Sequence, residues 1–222
     1  VLCGRQSITG VTVDGGYAEY IKAKASHVIP LPGSLDFAGA APLLCAGVTV
    51  YRGLKQAGLR PGQRVTVFGV GGLGHLAIQI AIARGATVSA VDLRPDKLAL
   101  ARECGAHWTG SEKPERADIA IVTSASVQAY DVALKNLRKG GTLVVAGMPP
   151  EPFPVSAVTM VSGELRIIAS AVGTRDDQRE LLALAATGAV RCRYQTRPLA
   201  DINDIFAEMQ RGDIPARAVL TF

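Results

Sequence analysis

Gly69-Val70-Gly71-Gly72-Leu73-Gly74 decides the reading of this chain because of what stands on either side of it. Val65-Thr66-Val67-Phe68 precedes it, a short β-branched and aromatic run of strand character. Leu76, Ile80 and Ala83 follow, with Ile78 and Ile82 beside them, and make a broad apolar helical face that ends at Gly85. A G-x-G-x-x-G between strand and helix is a phosphate-binding turn. Glycine lets the chain reverse tightly and lets backbone N–H groups approach a pyrophosphate, whose charge then sits at the positive end of the helix. In a chain with 24 glycines the pattern alone is weak. Asp92 supplies the second half. It ends a second strand, Thr87 to Val91, 18 positions after Gly74, near the roughly 20 expected of the acid that binds an adenosine ribose. Together these predict a dinucleotide site at Gly69, Gly71, Gly72, Leu73, Gly74 and Asp92.

A carboxylate at Asp92 accepts hydrogen bonds from ribose hydroxyls and repels a 2′-phosphate, which predicts NAD over NADP. Arg94 could meet such a phosphate, but at an exposed turn an arginine is more often solvated or packed on the ribose. Further along the chain, Ile119 to Val122, Leu143 to Ala146 and Leu165 to Ala169 are more apolar runs of the kind covered on both faces. Amphipathic stretches separate them: Pro95 to Gly105, and Ala129 to Leu137, the latter stopped by Gly140-Gly141. The alternation predicts an α/β fold, a doubly wound parallel sheet. Helices are expected near Gln178 to Ala186 and Ile202 to Gln210, then a strand from Ala218 to Phe222. The first 45 residues differ, because Gly15 to Ile21 and His27 to Pro32 read as short strands of an antiparallel β domain.

With 222 residues, 48% hydrophobic and 19% charged, the chain is too apolar for a disordered segment. A net charge of +5 raises the question of a nucleic-acid partner. The cations are scattered singly or in pairs such as Arg138-Lys139, and no aromatics interleave with them to stack bases, so no nucleic acid is expected. Four cysteines, Cys3, Cys45, Cys104 and Cys192, stand too far apart for a small disulfide scaffold, and a reducing, cytoplasmic location is expected. The longest uncharged run, Phe37 to Tyr51, is broken by Pro42 and several glycines, so no membrane span is expected. The opening Val1-Leu2-Cys3-Gly4-Arg5-Gln6 is neither a leader peptide nor a helix start, and reads as the interior of something longer. Tyr51 and Lys55 form a Y-x-x-x-K, the proton-transfer pair of short-chain dehydrogenases, but they precede the glycine turn instead of following it. Chance spacing is the expectation.

Cys45-Ala46-Gly47-Val48-Thr49-Val50-Tyr51, Pro61-Gly62, the glycine turn with His75-Leu76-Ala77, Gly147-Met148-Pro149-Pro150 and Val172-Gly173-Thr174-Arg175 resemble the zinc-dependent alcohol dehydrogenases of the medium-chain dehydrogenase/reductase superfamily. Gly10 to Tyr20 and Arg217 to Phe222 are similar to the same family. The resemblance implies hydride transfer between an alcohol and NAD to give an aldehyde or ketone, in a homodimer or homotetramer. It implies that Cys45 is one catalytic-zinc ligand, Thr49 packs on the nicotinamide, and Lys97 joins Asp92 at the ribose. Ala146, Gly147 and Met148 would face the nicotinamide, Arg217 would reach the pyrophosphate, and Cys3 would be one structural-zinc ligand. The remaining zinc ligands would precede Val1, since His27, His75 and His107 read as structural or surface residues; residues 1–222 alone are then expected to be inactive or nearly so. The implied organisation is part of a GroES-like β-rich catalytic domain at 1–46, a Rossmann NAD domain at 47–173 and a returning catalytic segment at 174–222. Two other readings remain open: a zinc-free NADPH-linked reductase of the same superfamily, and a non-catalytic dinucleotide-binding module.

Overall fold

Each apolar run read as a buried strand enters one parallel sheet in the computed structural model, which describes residues 3–112 and 114–222. In chain order the elements are α1 (Phe37–Ala40), α2 (Ala46–Gln56), β1 (Arg64–Phe68), α3 (Gly74–Ala83), β2 (Thr87–Val91), α4 (Pro95–Glu103), β3 (Trp108–Gly110) and β4 (Ala117–Val122). Then come α5 (Val127–Asn136), β5 (Leu137–Val145), α6 (Ala157–Gly163), β6 (Arg166–Ala169), α7 (Arg175–Ala186), β7 (Tyr194–Pro198), α8 (Ile202–Arg211) and β8 (Arg217–Thr221). Strand order is β3-β2-β1-β4-β5-β6, all parallel, so the direction of winding reverses between β1 and β4. Ligands of such sheets bind outside the carboxyl ends of the strands at that reversal.

Two cores follow from the period-2 alternation of side chains. Val65, Val67, Ile119, Ile121 and Val144 face one way and pack with α2, α3 and α7. Phe68, Ala120, Val122 and Leu143 face the other way and pack with Tyr130 and Ala133 of α5. β7 and β8 form a separate parallel pair, Tyr194 opposite Arg217. No single helix among the described residues is long and apolar enough to cross a membrane.

Three expectations are corrected. Gly15 to Ile21 and His27 to Pro32 are not strands; that region holds a 3₁₀ turn at Ala25–His27 and an isolated bridge between Thr9 and Val13. A strand is a pairing and not a local conformation, and nothing among the described residues pairs with these two. Gly140-Gly141 does not separate helix from strand: α5 ends at Asn136 and β5 runs through both glycines. Gly140 takes φ +74°, and the register against β4 shifts from Ala117↔Leu137 to Ile119↔Thr142, so the glycines absorb extra residues as a bulge. The third correction is by addition. β3, α6 and β7 were not expected, and Tyr194-Gln195-Thr196-Arg197-Pro198 has no apolar run to announce it. The opening Val1-Leu2 lies outside the described residues.

Candidate functional site

The turn after β1 is shaped by contacts that leave no room for side chains at three of its glycines, Gly69, Gly72 and Gly74. Gly69 has φ +91°, and a methyl at Gly74 would lie 1.9 Å from the Gly69 carbonyl oxygen. α3 therefore starts hard against the end of β1. The Thr123 hydroxyl donates to that same carbonyl at 2.6 Å and holds it from the β4 side. Gly71 is different, because a methyl there would meet nothing within 4 Å. Among the described residues, none accepts a hydrogen bond from the N–H groups of Gly71, Gly72 or Leu73. Free amides at the positive end of a helix, beside open space, form a place for an anion.

Asp92 is built into the same turn. Its Oδ2 accepts from the Val70 amide at 2.7 Å and its Oδ1 from the Arg94 amide at 3.0 Å. Each oxygen keeps a lone pair for a further donor. Arg217 approaches from the opposite flank and donates from Nε to the Gly72 carbonyl at 3.2 Å. Lys97 is held in a different way: only 8% exposed, its ammonium donates to the carbonyls of Ile214 at 3.1 Å and Pro215 at 2.5 Å. Burial holds its pKa below the ordinary lysine value.

Across the winding reversal, Gly147 follows β5 and lies against β4's exit, where a methyl would come within 2.0 Å of the Ser124 carbonyl oxygen. Its own carbonyl accepts from the Tyr130 hydroxyl at 2.5 Å, and burial pushes that phenol up to about 12. Ala146 is half-buried and Met148 is 87% exposed at the lip. Sequence reasoning missed Ser124. It packs under Gly69, and its buried Oγ has no hydrogen-bond partner among the described residues. A serine just past a strand reads as loop, and no pattern could have singled it out.

Thr49 and Cys45 stand together, apart from the turn. The Thr49 hydroxyl donates to the Cys45 carbonyl at 2.7 Å, and the Ser170 hydroxyl donates to the Thr49 carbonyl at 2.8 Å. Cys45 is exposed at the start of α2, in a cavity of about 610 Å³ shared with Tyr17 and the Ile205-Phe206-Met209 face of α8. Arg217 also lines that cavity, so the residue that donates to the Gly72 carbonyl borders the space around Cys45 as well. Cys3 is exposed near the start of the chain. Among the described residues no three Cys, His, Asp or Glu side chains could together hold a metal ion. Tyr51 and Lys55 serve structure: the tyrosine hydroxyl donates to Glu180 at 2.8 Å, and the lysine bridges Glu180 and Asp177. His75 and His107 are likewise engaged internally, through Gly71 and Arg193 for the first and Val88 for the second.

Residues 72–187 match the family model described as zinc-binding dehydrogenase. An alcohol dehydrogenase of Moraxella sp. (strain TAE123) is 46% identical over 232 residues, covering 100% of this chain and 69% of that protein. An alcohol dehydrogenase of Geobacillus stearothermophilus is 44% identical over 230 residues, covering 99% of this chain and 68% of its own length. Among solved structures, the acetophenone reductase from Geotrichum candidum in complex with NAD matches with a TM-score of 0.93 at 30% identity, over 100% of this chain and 66% of that one. The chain spans about two thirds of the length of these relatives.

Proposed function

The chain belongs to the zinc-binding dehydrogenase family, and from that premise we propose that it serves an NAD-linked alcohol dehydrogenase, which moves hydride between a primary or secondary alcohol and NAD to give an aldehyde or ketone. The observation that carries the cofactor half is the β1–α3 turn, where Gly71 opens to free space, three amides have no acceptor among the described residues and Asp92 is anchored alongside. The amides of Gly71, Gly72 and Leu73 would take the pyrophosphate, with Arg217 adding positive charge beside Gly72. Asp92 would accept from the adenosine ribose hydroxyls. Ala146, Gly147, Met148 and Thr49 would border the nicotinamide end. Bound NAD supplies the hydride acceptor; these residues bind and orient it.

A catalytic zinc takes three protein ligands, and no three described side chains stand together to provide them, so Cys45 and Cys3 each lack company. The described residues do not fit the metal. Residues 1–222 by themselves should bind NAD and turn over little alcohol. Fluorescence titration tests this: saturable NADH binding, at least tenfold tighter than NADPH, is expected, and no binding or a reversed preference would overturn it. Zinc-dependent oxidation of ethanol by residues 1–222 alone would overturn the second half.

We also propose a homodimer or homotetramer. β6 is the last strand of the sheet, and Val158 and Val161 on the preceding α6 are exposed. An open sheet edge flanked by apolar side chains is one that natural proteins pair or cover. Sedimentation at micromolar concentration should give at least a dimer, and a monomer would count against the idea.

A further inference from the structure

Arg94 lies two residues past Asp92, and its own amide is bonded to the Asp92 carboxylate at 3.0 Å. A cofactor ribose bound at Asp92 would bring any 2′-phosphate into the neighbourhood of this guanidinium. Arginine matches a phosphate well, with planar paired donors and a permanent charge. Lys97 is no substitute, because its ammonium is turned inward to the carbonyls of Ile214 and Pro215.

The guanidinium is, however, already occupied. Nε and Nη2 donate to the two oxygens of Asp96, each at 3.0 Å, a bidentate fork on a carboxylate. Nη1 donates to the Gly212 carbonyl at 2.8 Å, which turns the group toward the end of α8. Asp96 is well placed to hold it: Pro95 opens α4, Asp96 follows in the first turn where an acid favours the helix dipole, and Arg94 is the residue just before the helix. Asp213 and Asp92 add their charges to that of Asp96, and together these carboxylates hold the Arg94 pKa above its ordinary value.

We propose that Asp96 sets cofactor selectivity through Arg94, the bidentate pair and the Gly212 carbonyl together withholding the guanidinium that would otherwise meet a ribose 2′-phosphate. Asp92 repels the phosphate directly; Asp96 keeps the nearby cation from compensating. Asp96 is thus a positioning residue. The inference rests on the dinucleotide reading of the glycine turn and deepens it.

The pair is exposed, so its own strength is modest and a bound phosphate can compete once Asp96 is removed. The test is a double-mutant cycle on the 222-residue chain, reading dissociation constants for NADH and NADPH by fluorescence. Asp96→Ala should tighten NADPH about fivefold while leaving NADH within about twofold. Arg94→Ala alone should not tighten NADPH, and Asp96→Ala with Arg94→Ala should lose the gain. An unchanged NADPH:NADH ratio in Asp96→Ala overturns the proposal. So does a gain that persists without Arg94, since it would then come from the lost negative charge alone. Wild-type protein that binds neither dinucleotide sinks the dinucleotide reading and this inference together, whereas wild-type binding of NADH with no effect at Asp96 sinks this one only.

Discussion

The main-chain amide of Arg193 donates to Nε2 of His75 at 3.1 Å, which leaves Nδ1 as the proton-bearing nitrogen, 2.8 Å from the Gly71 carbonyl. One fully buried, neutral imidazole thus ties the glycine turn to the segment that leads into β7. Burial pushes its pKa down to about 4, with the charges of Arg217, Lys97 and Arg193 acting the same way. In the unfolded chain the same group titrates near 6.5. Below that pH the unfolded state takes up a proton that the folded state refuses, so stability is full above about pH 6.5 and falls as the pH drops toward 4. The loss should reach roughly 3 kcal/mol. Urea denaturation at pH 7, 5 and 4 measures it, with His75→Leu as the control: less stable at pH 7, yet with a flatter pH dependence. Equal slopes in the two proteins would show that His75 is not the group responsible.

Gly71 and Gly74 should respond to alanine in opposite ways. At Gly74 the new methyl would stand 1.9 Å from the Gly69 carbonyl oxygen, and the backbone of the turn would have to move. A loss of at least about 3 kcal/mol, or failure to fold, is expected. At Gly71 the methyl meets nothing, so stability should stay within about 0.5 kcal/mol of wild type. It would nevertheless stand in the space through which a pyrophosphate reaches the amides, and NADH should bind about tenfold more weakly. Parallel urea and NADH titrations separate the two effects. Unaltered NADH affinity in Gly71→Ala would mean the open space is not the anion site.

Tyr51 tests whether the Y-x-x-x-K spacing means anything chemical. Its hydroxyl donates to Glu180 at 2.8 Å and accepts from Arg84 at 3.1 Å, joining α2, α3 and α7. Burial and the Glu180 bond raise its pKa above the ordinary phenol value, the opposite of what a proton donor in catalysis requires. Tyr51→Phe should cost about 1 kcal/mol of stability and leave NADH binding unchanged. A weaker NADH complex at unchanged stability would reinstate the tyrosine as part of the site.

The fold was legible where burial on both faces leaves a continuous apolar run, as at Val65 to Phe68 or Ile119 to Val122, because such a run fits few other places. β7 was not, since Tyr194 to Pro198 alternates half-buried and exposed positions and owes its existence to Arg217 and its neighbours across the pair. The putting together of Gly69 with Thr123 and Ser124 was equally silent, because 54 residues separate Gly69 from Thr123 and only the sheet order makes them neighbours. The glycine turn and Asp92 could be read because their spacing is fixed within one strand-helix-strand unit. Arg94's partner could be neither read nor excluded: a charge two positions away faces it only once α4 has formed.

Among the described residues, Val172 carries the clearest backbone strain. It adopts φ +53°, a left-handed conformation that a β-branched side chain disfavours strongly. Its neighbours leave it little choice. Ser170 is bonded to the Thr49 carbonyl, Gly173 is pressed so close to Val48 that a methyl would come within 2.3 Å, and Thr174 is fixed by its reciprocal capping bonds with Asp177 at the start of α7. The chain must turn between these anchors, and residue 172 absorbs the turn. The side chain is 42% exposed, so removing it forfeits little burial. Val172→Asn, which suits the left-handed region, should therefore stabilise the protein by about 1 kcal/mol, read as a higher urea midpoint at unchanged slope. A lower midpoint would mean that the valine's contacts outweigh its strain. If NADH affinity falls while stability rises, the strain is held for binding, as strained residues near ligand sites often are.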